Sequence, residues 1–129
     1  MVDPNVLISA AVARFGPPRR ILDHWLYGRF EMVVSYDLLY ELEAVLLRNR
    51  FREKLSVSDV LDYVRYLADR GTMAHPPEPH ARVAEIPDPD DHYLVNLAEF
   101  AAADRLVSGD PDLGATTPRE FLDELEQGL

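Results

Sequence analysis

The sequence predicts an α/β fold in which a parallel sheet is covered by helices on both faces. Three observations point there. Short apolar runs of strand character alternate with longer stretches of helical spacing. No internal repeat and no low-complexity tract breaks that alternation. The 129 residues are 47% hydrophobic, enough for one domain, spanning 1–129, with a buried core.

The elements follow in order. Residues 6–14, "VLISAAVAR", are apolar and helix-compatible, and Gly16, Pro17 and Pro18 interrupt them. In "RRILDHWLYGRF", Ile21, Leu22, Trp25 and Leu26 recur at helical spacing, with Gly28 as the stop. "FEMVV" at 30–34 reads as a short strand. Ser35 caps a following helix, "YDLLYELEAVLLRNR", with Asp37 in its first turn. "SVSD" at 56–59 is a capping box with Asp in the Glu position, opening an amphipathic helix that ends near Gly71. Residues 72–90 hold five prolines and read as an irregular connection with one short strand around 81–84. A helix follows Asp91, "DRLVS" at 104–108 reads as a buried parallel strand, and "GDPDL" turns sharply. Thr117, Pro118 and Glu120 open the last helix.

Composition narrows the function classes. The absence of cysteine removes disulfides, thiolate metal sites and thiol nucleophiles, and a reducing cytoplasm is the simplest setting. No apolar run is long enough to span a bilayer, and the first residues lack the pattern of a signal peptide. The formal charge of −10 has two readings: solubility, or carboxylates held together for a cation. It argues against non-specific coating of nucleic acid, which needs basic surface. It does not exclude an enzyme acting on nucleic acid, because a metal reverses the local sign.

In a parallel α/β sheet the ligand crevice lies outside the carboxyl ends of the strands. Asp3, Asp91 and Asp110 fall at such places, and Glu41 lies in the helix after "FEMVV". Each acid also has a structural reading. Asp3 fits a helix N-cap, Asp88, Asp90 and Asp91 fit a helix start, and Asp110 and Asp112 fit a turn. Glu41 borders the apolar face of its helix, and Glu43 competes with it. Taken together, acids at a crevice repel one another unless a cation sits between them. Oxygen ligands without His or Cys suit Mg²⁺ or Mn²⁺ rather than zinc. His24, His75, His80 and His92 have no ligand-like spacing, and they read as surface or packing residues.

Four segments resemble the PIN-domain ribonucleases, in order and across the chain. "VDPNVLISA" resembles the family's Asp-Thr-Asn-Val-Leu start, and "VVSYDLLYELEAVLLRNRF" its glutamate-bearing helix. "IPDPDDHYLVNLAEFAAADRLVSGDPDL" is the most specific match, and "TPREFLDEL" resembles the last helix. Within the family the chain looks most like VapC-type toxins of toxin–antitoxin pairs. The resemblance implies a three-layer α/β/α sandwich, Rossmann-like, with a parallel sheet of four to five strands. It implies metal-dependent RNA hydrolysis with Asp3, Glu41, Asp91 and Asp110 as the catalytic acids. Asp3, Asp91 and Asp110 would hold Mg²⁺ or Mn²⁺, and Asn5, Ser108 and Asp112 would support them. RNA, a cognate antitoxin and a second copy are the implied partners.

Two departures stand out. Pro4 replaces the family's Thr or Ser, removing a hydroxyl and a backbone N–H. Only Met1 and Val2 precede Asp3, where a strand of about five or six residues is usual, so further residues before Met1 are expected. Arg14, Arg19 and Arg20 form one basic group, and Arg48, Arg50, Arg52 and Lys54 another. They read either as solvated helix ends or as contacts to RNA phosphates or to an antitoxin. Two other readings stay open: a PIN-like binding module without catalysis, and an aspartyl-phosphate phosphatase using Asp3. The second usually wants an acid where this chain has Asn5.

Overall fold

The computed structural model describes residues 1–75 and 92–128. Helix α1 (Pro4–Val12) starts abruptly because Asp3 caps it. Asp3 Oδ1 accepts the Asn5 N–H at 2.9 Å. Pro4 stands in the first turn, where its missing N–H would have no helical partner. The loss of that N–H, noted above as a departure, therefore leaves the helix intact.

Helix α2 (Pro17–Leu26) begins after Gly16, whose φ of +104° suits glycine. Pro17 and Pro18 open α2 as well as separating it from α1. It buries Ile21, Leu22 and Trp25. Strand β1 is only Val33–Val34, shorter than the expected 30–34. Phe30 instead packs edge-to-face on Phe121 at 5.1 Å. Helix α3 (Tyr36–Leu46) is capped by Ser35, whose Oγ accepts the Leu38 N–H at 3.2 Å. It stops earlier than its apolar pattern predicts, and a 3-10 turn follows at Asn49–Phe51.

Helix α4 (Val57–Arg70) carries the expected capping box between Ser56 and Asp59. Strand β2 (Thr72–Met73) follows at once, in a stretch the prolines had marked as irregular. The strand expected at 81–84 lies outside the described residues. Helix α5 (His92–Phe100) buries Leu94 and Leu97. Helix α6 (Pro118–Gln127) has the second capping box, between Thr117 and Glu120.

Strands β1 and β2 are parallel, with Val33 opposite Thr72 and Val34 opposite Met73. Separately, Val107 makes isolated parallel bridges to Val2 on one side and Thr116 on the other. The pattern is regular: Val107 N–H donates to Met1 O, and Asp3 N–H to Val107 O, both at 2.9 Å. Among the described residues the sheet of four to five strands is thus reduced to one two-stranded ladder and two bridges. The cause is local. Asp3 and Pro4 turn the chain into α1 right after Val2. In the expected 104–108 strand, Asp104 and Arg105 are exposed, and Arg105 pairs with Glu124 at 3.2 Å. The α/β class and the parallel sense hold.

Helix α1 packs on α2 and α3, α2 on α6, and α3 on α4. Leu38, Leu42, Leu46, Val60 and Leu67 are fully buried in the resulting core. Burying a Leu or Val side chain is worth about 1.5–3 kcal/mol. Between Leu38 and Leu67 the chain also leaves Tyr40, Val57, Leu61 and Tyr66 exposed. Tyr63 ties α4 to α1 through a 2.9 Å hydrogen bond to Leu7 O. Burial pushes its phenol above the usual range, although the charge of Arg19 pulls the other way. No helix among the described residues is long and apolar enough to cross a membrane.

Candidate active site

Three of the parallel segments deliver a polar residue just past their carboxyl ends: Asp3 after Val2, Ser35 after β1, and Ser108 after Val107. Among the described residues, Asp3 and Ser108 are two of the three buried polar or charged side chains, at 4% and 2% exposure. The Ser108 hydroxyl donates to Asp3 Oδ2 at 2.7 Å. Ser108 Oγ accepts the Asp110 N–H at 3.0 Å. Asp110 Oδ1 in turn accepts the Asp112 N–H at 2.9 Å and caps the 3-10 turn Pro111–Leu113.

A continuous hydrogen-bonded chain thus links Asn5, Asp3, Ser108, Asp110 and Asp112 across about a hundred residues of sequence. Both Asp3 oxygens are engaged, one by a backbone N–H and one by a hydroxyl. The carboxylate sits at the positive end of α1. Ser108 is the link. Buried hydroxyls rarely go unpaired, and here one hydroxyl fixes an acid on the first segment and the loop carrying another.

The remaining acids are placed less closely. Glu41 is exposed on α3, beside the buried Leu42, and Glu43 is half-buried. Asp91 lies outside the described residues, as do Asp88 and Asp90. Asp112 is exposed and contributes its backbone N–H. Among the described residues no group of three His, Cys, Asp or Glu side chains converges closely enough to hold a metal ion. The donor chemistry nevertheless fits a hard cation. Asp3 and Asp110 offer only oxygen, and the third expected ligand belongs to the undescribed stretch.

The basic groups rearrange. Arg52 does not face outward with Arg48 and Arg50. Its Nη2 donates to Leu46 O at the end of α3, and its Nε and Nη1 are buried without a hydrogen-bond partner among the described residues. Arginine at a helix C-terminus satisfies a free carbonyl, a role the spacing of basic residues did not reveal. Arg20 pairs with Glu126, joining α2 to α6. Arg19 pairs with Asp23 at 3.5 Å. Arg48 and Arg50 remain exposed, with Arg50 over the Phe51 ring at 4.7 Å.

Asp3 and Asp110, linked through Ser108, lie past the carboxyl ends of parallel segments, where open α/β sheets bind their ligands. The comparison with family models is specific: the model described as PIN domain matches residues 1–112. The chain belongs to the PIN-domain family, whose members are generally metal-dependent nucleases. No curated protein matches, and no solved structure matches.

Proposed function

We propose that this chain is an endoribonuclease that hydrolyses RNA phosphodiester bonds with Mg²⁺ or Mn²⁺. The observation that carries the reading is the chain Asp3–Ser108–Asp110. It holds two carboxylate residues from opposite ends of the sequence at the strand ends where this family works. Asp3 and Asp110 would hold the cation together with Asp91, and Glu41 would orient the attacking water. Asn5, Ser108 and Asp112 keep the acids in place. When bound, the cation supplies a lowered water pKa and neutralises charge on the phosphate. The four-to-five-stranded sandwich belongs to this reading, with β1, β2 and the segments at Val2, Val107 and Thr116 as its five parallel members. So do a cytoplasmic setting, a VapC-like toxin role, a cognate antitoxin and a homodimer.

Single-stranded and structured RNA, incubated with Mg²⁺, Mn²⁺ or EDTA, tests it. Cleavage is expected with metal and absent with EDTA. Asp110→Asn and Asp91→Asn should each lower the rate on the order of a hundredfold or more, as losing one charge-stabilising group does. EDTA-sensitive cleavage that survives both substitutions would come from a contaminant and sink the assignment. A binding module without catalysis is the second reading, kept open by Pro4, which removes the hydroxyl of the family's Thr or Ser beside Asp3. Metal binding without cleavage of any RNA would select it. The phosphatase reading ranks lowest, because position 5 holds Asn where that chemistry usually wants a second acid.

A further inference from the structure

The structure brings together basic residues that are far apart in sequence. A cleft of about 820 Å³ opens at the C-terminal end of α1, lined by residues 11–15, Arg19, Asp23 and Lys54. Arg14 and Lys54 have no ion-pair partner among the described residues, whereas Arg19 is partly neutralised by Asp23. Phe15 stands at 84% exposure, which a side chain of its apolar area reaches only at a cost in hydration. The chain carries 23 acidic and 13 Lys or Arg residues. A concavity where unpaired cations predominate is thus a local reversal of sign, and that is where a polyanion approaches an acidic protein. Cations beside an exposed aromatic ring are the elements of single-strand recognition: phosphates meet the charges, and a base stacks on the ring.

We propose that this cleft docks single-stranded RNA, with Arg14 and Lys54 on phosphates and Phe15 under a base. The proposal rests on the ribonuclease reading and adds where the strand is held. Helix α1 is nine residues long. Asp3 at its start and the cleft at its end are therefore about 14 Å apart along the axis. That separation is the least a strand seated in the cleft must cover to reach Asp3.

The test is binding of a fluorescent single-stranded RNA by anisotropy in EDTA, where hydrolysis does not intrude. Arg14→Ala with Lys54→Ala should flatten the salt dependence of log K by about 1.4, two single-strand phosphate contacts. Arg65→Ala with Arg119→Ala changes net charge equally outside the cleft and should leave the slope unchanged. Phe15→Ala should weaken binding about fivefold to a hundredfold, and Phe15→Tyr should restore it. Duplex RNA, whose bases are already stacked, should bind more weakly and ignore Phe15. Equal loss of slope in both double variants overturns the proposal. So does binding indifferent to Phe15, or poly-glutamate binding as tight as RNA, which would mark an acidic protein partner. The two readings fail separately: cleavage with unaltered binding in the cleft variants removes the docking site alone. Cleft-dependent binding without metal-dependent cleavage removes the nuclease alone.

Discussion

Ser108 illustrates how much one buried hydroxyl can organise. It donates to Asp3 and accepts from the Asp110 backbone. Ser108→Ala leaves an Asp3 oxygen and the Asp110 N–H without that partner, at a cost of about 1–3 kcal/mol. Denaturant titration should show this loss, and RNA cleavage should fall with it as Asp110 loosens. Ser108→Thr keeps the hydroxyl and should recover both; a Thr variant no better than Ala would remove Ser108 from the positioning role.

At the scale of elements, the joint between α4 and β2 is the tightest point. A Cβ on Gly71 would lie 2.5 Å from Leu67 O, 2.9 Å from Val34 Cγ2 and 3.2 Å from Met32 O. Two of these atoms are backbone and cannot swing aside. Gly71→Ala should cost about 1–3 kcal/mol or more through overpacking. Gly109→Ala, with nothing within 4 Å of its added carbon, should stay near wild-type stability by thermal melting. The contrast also shows what was legible in the sequence. The capping boxes at Ser56 and Thr117 and the cap at Ser35 were readable, because a cap is written within four residues. Apolar periodicity marked the buried Ile21, Leu22 and Trp25 of α2, Leu38, Leu39, Leu42 and Leu46 of α3, and Val60 and Leu67 of α4, but Leu26, Val57 and Leu61 on the same patterns are exposed. The strands were not readable at their true lengths. A two-residue ladder such as Thr72–Met73 has no period to detect, and its only signal is a partner found forty residues earlier. The site was half legible. The acids stood out at strand ends, but the hydroxyl linking Asp3 to Asp110, the inward turn of Arg52 and the meeting of Arg14 with Lys54 exist only in three dimensions.

For the whole molecule the governing quantity is a charge of −10 on a chain of 129 residues. Self-repulsion of that size works against compactness, and any monovalent salt relieves it by screening. A cation held, as proposed, by Asp3, Asp91 and Asp110 would do something screening cannot, because it would bind the folded state and not the unfolded one. Its effect follows mass action: at a hundred times its Kd it adds about 2.7 kcal/mol. For a chain of this size that is on the order of 10 °C in Tm. The experiment compares Mn²⁺ or Mg²⁺ with EDTA at matched ionic strength set by NaCl, so that general screening cancels. The wild-type chain should gain most of that rise. Asp110→Asn, which removes a ligand charge but keeps an acceptor for the Asp112 N–H, should gain far less, with its own Tm in EDTA close to wild type. An equal gain in both proteins would place the cation elsewhere on the acidic surface and separate metal binding from the Asp3–Ser108–Asp110 chain.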